Sequence, residues 1–122
     1  MRYDYFSQND FDTAIPVCKM SDMDEEFMEK LDLAREIARV PFIVNSAYRT
    51  VEYEKSKGRD GSSSHTKGLA VDLKCTLSRV RFRILHGLLQ AGFTRIGVGK
   101  TFIHVDFDQD KDQQVVWDYY KD

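Results

Sequence analysis

Cysteine and proline are scarce in this 122-residue chain, with two of each, and tryptophan occurs once. The cysteines, Cys18 and Cys75, lie far apart and form no Cys-x-x-Cys pattern. That excludes a disulfide scaffold and a structural zinc knot and leaves both as structural thiols. No apolar run approaches the roughly 20 residues needed to cross a bilayer, so no membrane partner is expected. The opening Met1-Arg2-Tyr3-Asp4-Tyr5-Phe6 lacks the apolar stretch of a secretory signal. No charge of one sign dominates either: 18 basic residues stand against 20 acidic ones, for a formal net charge of -2. They are spread along the chain, so no Lys/Arg block offers a nucleic-acid footprint.

What is present, 42% hydrophobic and 31% charged residues over this length, suits one globular domain spanning 1-122 with one core, expected to be a monomer. Ser21-Asp22-Met23-Asp24-Glu25-Glu26 can cap a helix and load its positive end with acids, and that helix should reach Val40 before Pro41 stops it. Phe27, Leu31, Ala34 and Ala38 step along it at helical spacing, with Leu33 and Ile37 widening the apolar stripe. Phe42-Ile43-Val44 reads as a short strand with a polar exit. From Glu52 to Lys67 the composition turns to Ser, Gly, Lys and Asp, which reads as a long exposed loop, and such loops are often functional. A strand follows from Leu69 to Lys74. A second helix is expected from Leu77 to Gln90, capped by Thr76 or Ser78, burying Ile84, Leu85, Leu88 and Leu89 and ending at Gly92. His86 on that helix is left out of any site. Arg95-Val98, Thr101-Phe107 and Val115-Tyr120 read as the remaining strands, the last reached through the polar loop Asp108-Gln114.

Two of the strands divide their faces in the same way, because successive strand side chains point to opposite sides. Leu69, Val71 and Leu73 make one apolar face, which turns Asp72 to the other. Ile103, Val105 and Phe107 do the same for His104 and Asp106. If the two strands are neighbours, Asp72, His104 and Asp106 converge, and His65 at the end of the Ser-rich loop can join them. Zinc accepts imidazole nitrogen and carboxylate oxygen, and a catalytic zinc takes three protein ligands with one open position. His, Asp and His meet that count, although spacing alone leaves chance surface polars as an equal alternative.

The wording of the motif goes further. Ser63-Ser64-His65-Thr66-Lys67-Gly68-Leu69-Ala70-Val71-Asp72 reads as Ser-x-His-x-x-Gly-x-Ala-x-Asp, and Phe102-Ile103-His104-Val105-Asp106 supplies a later His-x-Asp. Upstream stand Ser46-Ala47-Tyr48-Arg49 and Phe6-Ser7-Gln8-Asn9-Asp10-Phe11. Together these resemble the zinc D-Ala-D-Ala peptidase family of D,D-carboxypeptidases, murein endopeptidases and phage L-alanyl-D-glutamate endolysins, whose fold resembles the hedgehog signalling domain. The resemblance implies an α+β fold: a small antiparallel sheet with the zinc site on one face and helices packed on the other. It implies His65, Asp72 and His104 as ligands to Zn2+, Arg49 as the group that binds substrate and stabilises an oxyanion, and peptidoglycan peptides as partners. Ser63 is expected to support His65 or the loop backbone, and Tyr48 accompanies Arg49 as a substrate or supporting residue.

One departure stands out. Many relatives place a carboxylate base three residues before the last zinc histidine, where this chain has Thr101 and no acid nearby. Asp106 shares a strand face with His104 and is expected to be the general base, with a supporting acceptor or a metal ligand as alternatives; Asp108, farther along, is expected to be solvated. The function implied is hydrolysis of an amide bond in peptidoglycan stem or cross-link peptides. The alternative is a catalytically weak, zinc-dependent peptidoglycan-binding module. The resemblance suits a phage lysis enzyme made in the cytoplasm and acting on the wall, or a periplasmic enzyme whose signal was removed.

Overall fold

Asp24 starts the first long helix by accepting the Phe27 backbone N–H on its side chain at 2.9 Å, with Glu25 and Glu26 at the positive end of the dipole. In this computed structural model, which describes residues 2–120, that helix (α2, Glu25–Ala38) follows a short one (α1, Gln8–Asp12). It ends on Arg39, whose left-handed φ of 59° turns the chain away before Pro41. A short helix, α3 (Val51–Ser56), and a second long one, α4 (Ser78–Gln90), complete the set. Phe27, Leu31, Ala34 and Ala38 are buried as their spacing predicts, but Leu33 is 46% exposed. The reason is a close crossing of α2 by α4 at Gly87. A Cβ on that glycine would run into the Ala34 carbonyl oxygen and lie 2.8 Å from the Ala38 Cβ. Helices this close share a narrow stripe, so Leu33 on α2 and Leu89 on α4, also expected in the core, are left at its margins; Leu89 is 55% exposed. Leu77 sits at the N-cap of α4 with no side-chain cap bond, in place of the expected Thr76 or Ser78.

The strands β1 (Val44–Ser46), β2 (Ala70–Lys74), β3 (Arg95–Val98), β4 (Phe102–Asp106) and β5 (Val115–Asp118) form one 5-stranded sheet in the order β1-β2-β4-β3-β5. Every pairing is antiparallel except β3 with β5. The fold is therefore α+β, with a mostly antiparallel sheet. Val71, Leu73, Ile96, Ile103 and Val105 bury one sheet face in the same core as Phe27, Leu31, Ile84 and Leu88. β1 begins later than predicted, at Val44, and its ladder is irregular between Val44 and Ser46. Val44 pairs with core-facing Leu73 and Ser46 with Asp72, so the irregularity at Asn45 moves Ser46 onto the opposite face.

The segment expected as an exposed loop from Glu52 to Lys67 is partly ordered. Thr50 caps α3 by accepting the Tyr53 N–H at 3.0 Å, and α3 buries Glu54 completely. Its last residues form a 3₁₀ turn, Ser64–Lys67, closed by Gly68 at φ 70°. A side chain at 68 would collide with the Asp22 carbonyl oxygen, so the turn needs glycine for both its conformation and its close approach. Both cysteines are free and buried.

Candidate metal centre

Strand register assembles the site. Ser46 pairs with Asp72, Asp72 with His104, His104 with Gly97 and Gly97 with Trp117. Directly paired residues share a sheet face, so these five form a row across all the strands on the side away from α2 and α4. His65 reaches the row from the 3₁₀ turn, which packs against β2. Ser63 caps that turn, its hydroxyl accepting the His65 backbone N–H at 3.2 Å.

The three residues expected to hold a metal come together: one ligand atom from each of His65, Asp72 and His104 lies within 4.8 Å of the others. The Asp72 Oδ1 stands 2.9 Å from His104 Nδ1 and 3.4 Å from His65 Nε2. The far nitrogen of each ring is tied down: His65 Nδ1 lies 2.7 Å from the Ala47 carbonyl oxygen and His104 Nε2 lies 2.8 Å from Asp106 Oδ2. A carbonyl can only accept, so His65 Nδ1 carries the proton and its Nε2 presents a lone pair toward Asp72. Two inward imidazole nitrogens and a carboxylate oxygen then face one another, an arrangement that asks for a cation among them. Ring nitrogens oriented by a carbonyl and a carboxylate are the usual support of metal-binding histidines, so the donor set fits zinc.

The charges follow from this packing. Burial works to raise the Asp72 carboxyl, but the His104 and His65 imidazoles beside it outweigh that and hold Asp72 far below the usual carboxylate range. Burial likewise works to lower the His104 imidazole, and its contacts with Asp106 and Asp72 overcome that and raise it. Burial would raise Asp106 too, yet His104 and Arg95 keep it below its ordinary value.

Asp106 does not open toward the three ligand atoms. Its Oδ2 holds the outer nitrogen of His104, and its Oδ1 accepts from Arg95 Nε at 2.7 Å and the Asp108 backbone N–H at 3.2 Å. Both oxygens are engaged on the far side of the imidazole, as those of an acceptor that orients His104 would be. Asp108 departs from expectation: it is 1% exposed, accepting from Ser64 Oγ at 2.8 Å and pairing with Lys67 at 3.0 Å. Tyr48 turns elsewhere. It packs against the core and lines a cleft with Cys18, Asp22 and Tyr53.

Arg49 lies beside the row. Its Nη1 donates to Ser46 Oγ at 3.3 Å, and its backbone N–H donates to the His65 carbonyl at 3.2 Å. Three residues in or beside the row were not singled out from the sequence. Arg95 holds Asp106 and lies over the Trp117 ring at 5.0 Å. Trp117 packs against His104 with ring centroids 5.6 Å apart. Tyr119 leans over Gly97, where a Cβ would meet both Trp117 and Tyr119 at 2.7 Å. Burial and the negative charges of Asp72 and Asp106 raise the Tyr119 phenol. The apolar run Val115-Val116-Trp117 marks a strand, but which strand β5 joins, and in what register, is not written locally.

Among the described residues no helix is long and apolar enough to cross a membrane. No curated protein matches the chain. A family model described as Peptidase M15 matches residues 6–106, the span from the early Phe6 motif to the end of β4. That span contains His65, Asp72, His104, Arg49 and Asp106, and peptidases of this family are zinc-dependent. With the matching model covering most of the chain and the His-Asp-His cluster standing on its sheet, the chain belongs to the peptidase M15 family.

Proposed function

We propose that the protein is a zinc peptidase that hydrolyses an amide bond in the stem or cross-link peptides of peptidoglycan. The observation that carries the reading is the convergence of His65 Nε2, Asp72 Oδ1 and His104 Nδ1, with each imidazole oriented from behind, in a chain of a peptidase family. His65, Asp72 and His104 hold the metal. When bound, zinc supplies Lewis-acid chemistry, polarising a carbonyl and bringing the acidity of water toward neutral pH. Asp106 keeps His104 in the tautomer whose Nδ1 faces inward, and Arg95 holds Asp106 in turn. Arg49, 14% exposed at its side chain and anchored on Ser46, presents guanidinium donors to the substrate carbonyl, where charge develops as water adds. Trp117 and Tyr119 wall the row beyond His104 and exclude water from that side.

A second reading, a zinc-dependent peptidoglycan-binding module with weak turnover, is favoured by one feature: Asp106 is fully engaged and position 101 is a threonine, so among the described residues no free carboxylate faces the ligand atoms. One experiment separates the two. The purified protein is incubated with peptidoglycan, with and without a chelator, and muropeptides are identified by mass spectrometry. The peptidase reading expects peptide fragments that vanish with chelator and return with zinc, and intact peptides under all conditions would overturn it. The protein should bind about one zinc per chain, and His65→Ala, Asp72→Ala and His104→Ala should each lose most of it. Full zinc content in all three variants would refute the ligand set. Arg49→Ala should keep the metal and lose on the order of a hundredfold in turnover.

A further inference from the structure

We infer that Glu54 is the positioning residue for Arg49, a step that rests on the reading of Arg49 as the substrate-facing group. Glu54 is completely buried, although it belongs to a short helix next to an exposed loop. A carboxylate is expensive to bury unless cations meet it, and here two do. Arg59 Nη1 bonds to Glu54 Oε2 at 2.6 Å, and Arg49 Nε stands 3.5 Å from the same oxygen.

The backbone explains the encounter. Arg49 immediately precedes Thr50, the cap of α3, so the first turn of that helix carries residue 54 back beneath the Arg49 side chain. Arg59 is held to the same helix end by its backbone N–H, which donates to the Glu54 carbonyl at 3.0 Å. Charge balance alone needs only one arginine. Arg59, half exposed and tightly bonded, already supplies it. The inward turn of Arg49 toward the same oxygen therefore calls for another purpose. With its Nε edge against Glu54 and its Nη1 on Ser46, the guanidinium is gripped from two sides next to Asp72, the register partner of Ser46. The grip is incomplete: Arg49 Nε and Glu54 Oε1 are buried without hydrogen-bond partners.

The test is a double-mutant cycle on the zinc-loaded protein, read by turnover of a soluble stem-peptide muropeptide and by the arginine Nε–H NMR signals. Glu54→Gln should lower kcat on the order of tenfold with little change in KM and with zinc retained, as misplacement of a catalytic group does. In the Arg49→Ala background the same substitution should add nothing. The Arg49 Nε–H signal should move in Glu54→Gln, and Arg59→Gln should keep near-normal kcat. Glu54→Asp keeps the charge with shorter reach, so it should recover part of the lost turnover and guards against a Gln variant that does not fold. Additive losses in the cycle, or an unmoved Arg49 signal in Glu54→Gln or Glu54→Asp, would overturn the inference. A wild-type protein with no turnover would instead sink the peptidase reading, while the NMR signals would still decide whether Glu54 holds Arg49.

Discussion

His104 has a carboxylate at each of its nitrogens, and only one of them faces the other ligands. That asymmetry assigns different work to Asp72 and Asp106, two acids that look equivalent when strand parity alone is read. Asp106→Asn keeps the shape, but its single carbonyl oxygen cannot accept from both His104 Nε2 and Arg95 Nε. The expected result is a zinc affinity lower by about 10- to 100-fold with the fold intact, the usual effect of removing an outer partner from a metal-bound histidine. Competition with a chromogenic chelator measures it. Unchanged affinity with turnover abolished would return Asp106 to the role of base.

At the scale of elements, the pairing of α2 with α4 depends on the absence of a side chain at Gly87. A methyl there would press on the Ala34 carbonyl, the Ala38 Cβ at 2.8 Å and the Ala38 backbone nitrogen at 3.1 Å. Backbone atoms do not yield as a flexible side-chain tip does, so the helices must part. Gly87→Ala should destabilise the fold by about 1–3 kcal/mol, the usual cost of overpacking. Because these helices bury the opposite sheet face from His104, zinc content per folded molecule should not change. Denaturant unfolding beside metal analysis checks both halves, and a variant as stable as the parent would show that the crossing tolerates a methyl group. Gly97 is the contrasting case on the site face: its missing side chain lets the Trp117 and Tyr119 rings approach the row at His104.

For the molecule as a whole, the buried Asp108 joins segments distant in sequence. It binds Ser64 and Lys67 of the turn that carries His65, and Lys111 reaches back to Ser64 Oγ at 2.9 Å. Burial pushes the Asp108 carboxyl up, but hydrogen bonds from Ser64 and Lys67 outweigh that and hold it below its ordinary value. The folded protein therefore binds this proton less readily than the unfolded chain. The resulting stability is fully present above the unfolded value of about 4 and is lost as the pH falls through the lower folded value. Asp108→Asn should cost about 2 kcal/mol near neutrality, as charge-assisted hydrogen bonds are given up. The gap between variant and parent should narrow in acid below about pH 4. Unfolding curves across that range decide, and a gap independent of pH would rule out the carboxylate as its source.

Local pattern was enough for much of this protein. Helical spacing at Phe27, Leu31, Ala34 and Ala38 and alternation around Asp72 and His104 are short-range rules, and they predicted α2 and the inward and outward faces of β2 and β4; the set of His65, Asp72 and His104 came from the motif's resemblance to a family. The motif wording carried the family. What tertiary structure alone decided lies in contacts between distant segments. Leu33 and Leu89 lost their core places because Gly87 set the helix spacing, and Glu54 was buried because Arg49 and Arg59 meet it. Asp108, expected to be solvated, is buried for the same reason. Parity states which face a side chain takes, but only the pairing of strands and the packing of loops states which atoms await it there.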